Sequence, residues 1–138
     1  SGVLADRHVG IERMPAGCIV VDAPQDLSIA FDRGHLHQVM WNLCRNAWRY
    51  CRQLPGSITI RARRDKLGVV IEVCDDGSGV PPANRDRLFE PFFTTDDSNG
   101  SGLGLYIARE ICAANRAALD YVDSKQNTVF RVSGKEWE

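Results

Sequence analysis

One stretch, FDRGHLHQVMWNLCRNAWRY at residues 31–50, constrains the fold more than any other part of the chain. It contains no proline, opens behind Asp32 and runs out before Leu54-Pro55-Gly56. An aspartate suits a helix N-cap and a Pro-Gly pair stops a helix, so a helix is predicted over residues 35–51. With Asn42 set at zero and about 100° per residue, Asn46 falls near +40° and Arg49 near -20°. Leu36, Val39, Met40, Leu43 and Ala47 then occupy about +60° to +160°, an apolar stripe that must be covered by another layer. Arg45 and Arg52 lie on the far flank of the polar face. Asparagine is a poor helix former because its side chain competes for backbone partners. Two of them one turn apart mark either a solvated face or a ligand site. Asparagine oxygens can hold Mg²⁺ while waters complete its octahedron, and the Arg49 fork can hold a phosphate oxygen.

The pattern on either side supplies the covering layer. Residues 18–21 and 28–31 are short apolar runs divided by the turn signal Ala23-Pro24-Gln25-Asp26, and are predicted to pair as strands. Residues 57–63 alternate apolar and polar, residues 67–74 are rich in valine, and Arg64-Asp65-Lys66 joins them as a hairpin. Residues 75–102 are rich in Gly, Pro, Asp, Asn and Ser, interrupted by an amphipathic piece near residues 84–89. So long a connection in a compact domain is usually functional. A second helix is predicted over residues 103–114, with strands over 118–121 and 129–133. The expected fold class is α+β: a two-layer sandwich of a mixed, mostly antiparallel sheet with helices on one face. Residues 1–16 lack periodicity and read as a connector from something upstream, leaving residues 17–138 as the domain.

Formal net charge is -1, so nothing in the bulk draws the chain to nucleic acid, and an anionic ligand must be held by local groups. No apolar run approaches the roughly 20 residues that span a bilayer, and no signal-peptide pattern opens the chain. The five cysteines are scattered without a CxxC pair, which points to reduced core residues rather than zinc ligands. His8, His35 and His37 form no ligand cluster, and the last two are expected at the surface.

Two glycine-rich boxes carry the remaining chemistry. In VCDDGSGVP, residues 73–81, Asp75 follows a buried strand at what would be a pocket mouth, and Gly77 and Gly79 allow close backbone approach. An ionised aspartate only accepts hydrogen bonds, so an exocyclic amine such as adenine's is a natural partner; a plain Asp-Gly turn is the other reading. In NGSGLGLYIA, residues 99–108, Gly100, Gly102 and Gly104 precede a helix whose N-terminus suits phosphate. The box is neither a Walker A motif, since no GKS or GKT follows, nor a dinucleotide fingerprint, since no strand precedes it.

Taken in order, NLCRNAWRY, DDGSG, LFEPFFTT and GSGLGL resemble the asparagine, first glycine, phenylalanine and second glycine boxes of the GHKL (Bergerat-fold) ATP-binding domains. Within them the chain resembles the catalytic domains of sensor histidine kinases, over residues 32–130. FEPFFTT looks like the nitrogen-regulation type, and GLYIAREICAANRAALDY is similar to sensor kinases that control type IV pilus genes.

The resemblance implies ATP and Mg²⁺ as ligands. Asn46 would hold the metal with Asn42 assisting, Arg49 would contact phosphate, and Tyr50 would pack near the nucleotide. Asp75 would accept from the adenine amine in a pocket shaped by Gly77, Gly79 and Val80, with Thr128 beside the base. Residues 82–99 would form a lid anchored by Phe89, Phe92 and Phe93, and Ser101, Gly102, Leu103, Gly104 and Leu105 would close over the phosphates. Asn42, Asn46 and Arg49 are the catalytic candidates. The resemblance further implies a cytoplasmic domain of an inner-membrane sensor kinase, monomeric alone and homodimeric in the full protein. Its partners would be a dimerisation and phosphoacceptor domain and a response regulator.

Asp96 and Asp97 stand where many relatives carry lysine, Arg116-Ala117 replace a Gly-Gly, and Asn127 replaces a glycine. Arg85 and Arg87 either compensate for the missing lysine or are ordinary surface residues. Hydrolysing relatives place a glutamate base at position 42; an amide takes up no proton near neutrality, which favours transfer over hydrolysis. No histidine here lies in an acceptor motif, so the nucleophile is expected on another domain. A nucleotide-binding regulatory module without transfer, or a GHKL-type ATPase, are the alternatives.

Overall fold

A computed structural model describes residues 17–93, 102–124 and 127–137. The expected connector over residues 1–16 lies outside them, as do Ser101, Asp96 and Asp97. In chain order the elements are β1 (Ile19–Asp22), α1 (Arg33–Tyr50), β2 (Ile58–Arg64), β3 (Val69–Asp75), α2 (Pro82–Arg85), α3 (Gly104–Ala114), β4 (Ala118–Val122) and β5 (Thr128–Gly134). The five strands form one sheet in the order β1-β2-β3-β5-β4. Only the β1–β2 pair is parallel. The expected mixed, mostly antiparallel sheet is what forms.

One pairing differs. Residues 18–21 do not pair with residues 28–31; Ile19 lies beside Ile58 and Asp22 beside Arg61, parallel to β2. The turn at Pro24 does form, with Leu27 N–H donating to its carbonyl at 3.5 Å. The chain then leaves the sheet to start α1, and Ile29 keeps only a single antiparallel bridge to Glu136. A parallel partner needs a long crossover, and α1 is that crossover, which the local turn signal could not show.

Asp32 caps α1 as expected, its carboxylate accepting from His35 N–H at 2.9 Å. The apolar stripe of α1 meets alternate residues of the sheet: Ile58, Ile60 and Ala62 of β2, Ile71 and Val73 of β3, Phe130 and Val132 of β5. Ala108 and Cys112 of α3 complete this core, so both long helices cover the same face. The helices run antiparallel. Asn115, just past α3, accepts from Asp32 N–H at 2.9 Å and reaches His35 Nδ1 at 3.0 Å, while α3 begins beside Asn42.

The other sheet face carries a row of alternating charge across all five strands. Asp22 lies beside Arg61, Arg61 opposite Glu72, Glu72 opposite Arg131 and Arg131 opposite Asp120. In the central pair Arg131 donates from both Nε and Nη2 to the one oxygen Glu72 Oε2, at 2.8 and 2.7 Å. All five cysteines are free thiols. Burial pushes Cys44 and Cys112 up to about 12.

Candidate functional site

A cleft of about 630 Å³ opens between α1, the loop after β3, α2 and the start of α3, with Thr128 and Phe130 of β5 at its base. Its charged lining residues are Arg45 and Arg49; no carboxylate lines it among the described residues. A chain that is slightly acidic overall thus presents a cationic hollow, where two guanidiniums favour a polyanion.

The polar stripe of α1 forms one wall, and its two asparagines differ. Asn42 is 7% exposed and engaged at both ends, with Nδ2 donating to Gly104 O at 3.0 Å and Oδ1 accepting from Gln38 Nε2 at 2.8 Å. Asn46, one turn on, lines the cleft, and its side chain makes no hydrogen bond among the described residues. Arg49 lies 5.9 Å from the Tyr50 ring centroid, and both line the same wall. Arg45 lies over the Trp41 ring at 4.9 Å.

At the far end, Asp75 closes β3. It is 3% exposed and lies behind the wall instead of at the pocket mouth; Thr128, paired opposite it, is the residue on the cleft surface. Burial pushes the Asp75 carboxyl up to about 6, and the neighbouring Asp76 charge adds to the rise. The Gly77 N–H, donating at 2.8 Å, and the Thr128 hydroxyl oppose it. Asp76 turns to the outside, accepting from Arg52 N–H and Ser57 Oγ, each at 2.8 Å. Gly77 does not line the cleft but must be glycine: a Cβ there would lie 2.6 Å from Tyr50 O and 2.7 Å from Asp75 Oδ1. That contact fixes the end of α1 against the first glycine box.

Gly79 and Val80 do line the cleft, and sequence reasoning missed what holds them. Tyr121 Oη accepts from Val80 N–H at 3.2 Å, and Arg85 Nε donates to Val80 O at 3.1 Å. Arg85 also pairs with Asp123 at 3.3 Å and Arg87 with Glu90 at 3.0 Å, and neither arginine lines the cleft.

Of the three phenylalanines expected to anchor a lid, two pack inward. Phe89 packs edge-on against Phe130 with centroids 6.2 Å apart, and Phe93 lines the cleft beneath Arg87. Phe92 is 72% exposed. Its backbone, at φ +67, is what the fold uses: Phe92 N–H donates to Gly102 O at 2.9 Å. A Cβ on Gly102 would lie 2.4 Å from the Phe92 carbonyl carbon, and Gly102 has φ +74, so only glycine fits. Gly102, Leu103, Gly104 and Leu105 all line the cleft, and Ser101 falls outside the described residues. The first turn of α3 has no capping side chain, unlike that of α1. Its unpaired N–H groups therefore stand ready for an anion.

This cleft on this sheet defines a class, an ATP-binding domain in which a helix-borne asparagine and a glycine-flanked helix start share one wall. The chain belongs to the family of histidine kinase-, DNA gyrase B- and HSP90-like ATPases, which its residues 31–136 match. It is 45% identical over 113 residues to the sensor protein kinase PilS of Pseudomonas aeruginosa, covering 78% of this chain and 21% of that protein. It is 37% identical over 129 residues to the sensor histidine kinase CpxA of Escherichia coli, covering 90% of this chain and 28% of that protein. The nitrogen regulation protein NtrY of Azorhizobium caulinodans is 31% identical over 111 residues, covering 76% of this chain and 14% of that protein. The chain thus spans less than a third of these curated relatives. Among solved structures, the catalytic domain of histidine kinase ThkA superposes with a TM-score of 0.81 at 25% identity, covering 98% of this chain and 91% of that one. Full-length ShkA in complex with AMPPNP superposes at 0.77 with 29% identity, covering 98% and 29%. The expected histidine-kinase ATP-binding fold is the observed one.

Proposed function

We propose that this domain binds ATP with Mg²⁺ and delivers the γ-phosphoryl group to a histidine on a separate domain of the same sensor kinase, for onward transfer to a response regulator. The observation that carries the reading is the polarity of the cleft. A buried carboxylate–threonine pair lies at one end; a free carboxamide, two guanidiniums and an uncapped helix start line the other wall. Adenine fits the first and a triphosphate the second.

In this reading Asp75 and Thr128 fix the base, Asp75 accepting from the exocyclic amine directly or through a water, since it lies just behind the surface. Arg49 and the first N–H groups of α3 hold phosphate oxygens. Mg²⁺ would sit at Asn46, whose unengaged amide oxygen suits a hard cation that keeps several waters, and would neutralise charge between the phosphates. Asn42 is assigned a structural part, because both ends of its amide are in use. Transfer to an imidazole relies on positioning and charge stabilisation rather than on a strong base, and among the described residues no carboxylate or histidine lines this cleft to activate water. As in the sequence reading, the full protein would be a homodimer with this domain in the cytoplasm. The similarity to PilS supports a role in type IV pilus gene regulation.

The test mixes this domain with a separately produced acceptor domain and radiolabelled ATP–Mg²⁺. Acid-labile label on the acceptor is the expected result. Nucleotide binding without label would support a regulatory module, and steady phosphate release without label an ATPase. Calorimetry on Asn46→Ala should show ATP affinity that no longer responds to Mg²⁺.

A further inference from the structure

Asn42 and the start of α3 are joined by a polar relay whose direction the chemistry leaves no freedom to reverse. Gly104 O can only accept, so the Asn42 group facing it at 3.0 Å must be the amide nitrogen. The Asn42 oxygen then faces position 38, and the partner there, at 2.8 Å, must be a donor, the Gln38 amide nitrogen. One residue at the cleft rim therefore anchors the oxygen end of a 7% exposed carboxamide, whose nitrogen end holds the first carbonyl of α3. Gly104 itself is exposed, and a Cβ there would meet nothing within 4 Å. At Gly104 itself no side chain pins the helix; Leu105 packs on the core one residue on, and the Gly104 carbonyl is held by the Asn42 hydrogen bond, with the Gly102–Phe92 backbone contact two residues upstream.

We infer that Gln38 is a positioning residue for the phosphate end of the cleft, acting through Asn42 to set the start of α3 against Asn46. The relay explains an amide at position 42 in two ways that a metal ligand alone would not. An aspartate or glutamate would turn a carboxylate oxygen on the Gly104 carbonyl and repel it, and a shorter side chain would leave the carbonyl unheld. Without the donor at position 38, the Gly104 carbonyl still selects the amide nitrogen, but the carboxamide loses the second of its two anchors. The Asn42 side chain is then held at one end only, and its hold on the first carbonyl of α3 loosens. The effect falls where the triphosphate lies and spares the Asp75–Thr128 end, which the relay does not touch. The inference rests on the nucleotide reading above for its ligand, but not for its geometry.

Gln38→Met keeps length and charge while removing the carboxamide and with it the donor to Asn42, and Gln38 is exposed, so the fold should survive. Two readouts separate the questions. In ¹⁵N NMR of the free chain, the Asn42 side-chain NH₂ pair and the Gly104 and Leu105 amides should shift in Gln38→Met while the Gly77 amide stays put. In titrations, affinity for ATP–Mg²⁺ should fall about three- to tenfold while adenosine affinity stays within twofold, and Gln38→Lys, which restores a donor, should return the Asn42 NH₂ signals toward their wild-type positions. Unchanged Asn42 signals would overturn the relay, and so would a Met variant that binds ATP–Mg²⁺ like wild type. Equal losses for adenosine and ATP would overturn the positioning role by showing a general structural effect. A wild-type chain that binds no ATP–Mg²⁺ would refute the nucleotide reading, and the NMR arm would still decide the relay.

Discussion

Replacing Asp75 with asparagine should make the free domain more stable while disabling it. The carboxyl titrates at about 6 in the fold against an ordinary 3.8, chiefly because it is buried. At about 1.4 kcal/mol per pH unit, holding Asp75 ionised costs the free fold about 3 kcal/mol near neutrality. Asparagine removes the charge and keeps the hydrogen bonds, its oxygen accepting from Gly77 N–H and its nitrogen donating to the Thr128 hydroxyl. For a chain of this size about 3 kcal/mol corresponds to roughly 10 °C in Tm. The sign follows from proton uptake. Below pH 6 the folded wild type takes up a proton that the unfolded chain does not yet hold, so acid relieves the cost. Calorimetric scans at pH 7.5 should place Asp75→Asn above wild type, and the gap should narrow between pH 6 and pH 4 until the two converge. Saturating ATP–Mg²⁺ should raise the Tm of wild type and leave that of the variant unmoved. A variant no more stable than wild type at pH 7.5, or a gap unchanged at pH 4.5, would show that the carboxylate is not held at a cost and that the burial argument fails.

The same carboxyl gives a pH dependence of binding: ATP affinity should be level above about pH 7 and fall toward about tenfold per unit below pH 6, read by calorimetry. Gly102→Ala puts a Cβ into the Phe92 backbone at a positive φ, so it should cost about 1–3 kcal/mol and expose the 92–102 junction to limited proteolysis. Gly77→Ala drives a Cβ against Tyr50 O, and a Tm fall equivalent to about 1–3 kcal/mol is expected, with ATP affinity lost alongside. Phe130→Ala removes the ring on which both Phe89 and Tyr121 pack, and chemical denaturation should show a loss of about 3–5 kcal/mol.

Long-range periodicity was the most readable part of the sequence. The α1 stripe named the core face because 3.6-residue spacing survives any tertiary context, and Leu36, Val39, Met40, Leu43 and Ala47 are all buried. The alternation in β2 likewise predicted which residues face the helices. What failed was partner choice. Residues 18–21 carry a strand signal but no signal for where the strand pairs, and the parallel edge position depends on the crossover through α1. The site boxes located the cleft, yet Asp75 lies behind the wall because its depth is set by Thr128, its partner on the neighbouring strand, which lies far along the chain and outside the glycine box. Phe92 reads as an anchor by hydrophobicity, whereas its backbone conformation turns the ring outward. Gln38 was discoverable: one turn before Asn42, it lies on the same polar face, but a lone glutamine on a helix carries no chemistry until its partner is known.

The charged row on the helix-free face also bears on how copies of this domain meet. Its two ends are acids on the two outer strands, Asp22 on β1 and Asp120 on β4. A second copy added edge to edge with the two rows aligned would bring carboxylate against carboxylate at the joint, Asp120 being partly balanced by Arg109 at 3.8 Å. The acid at each end thus disfavours the one register in which the row would run on from copy to copy.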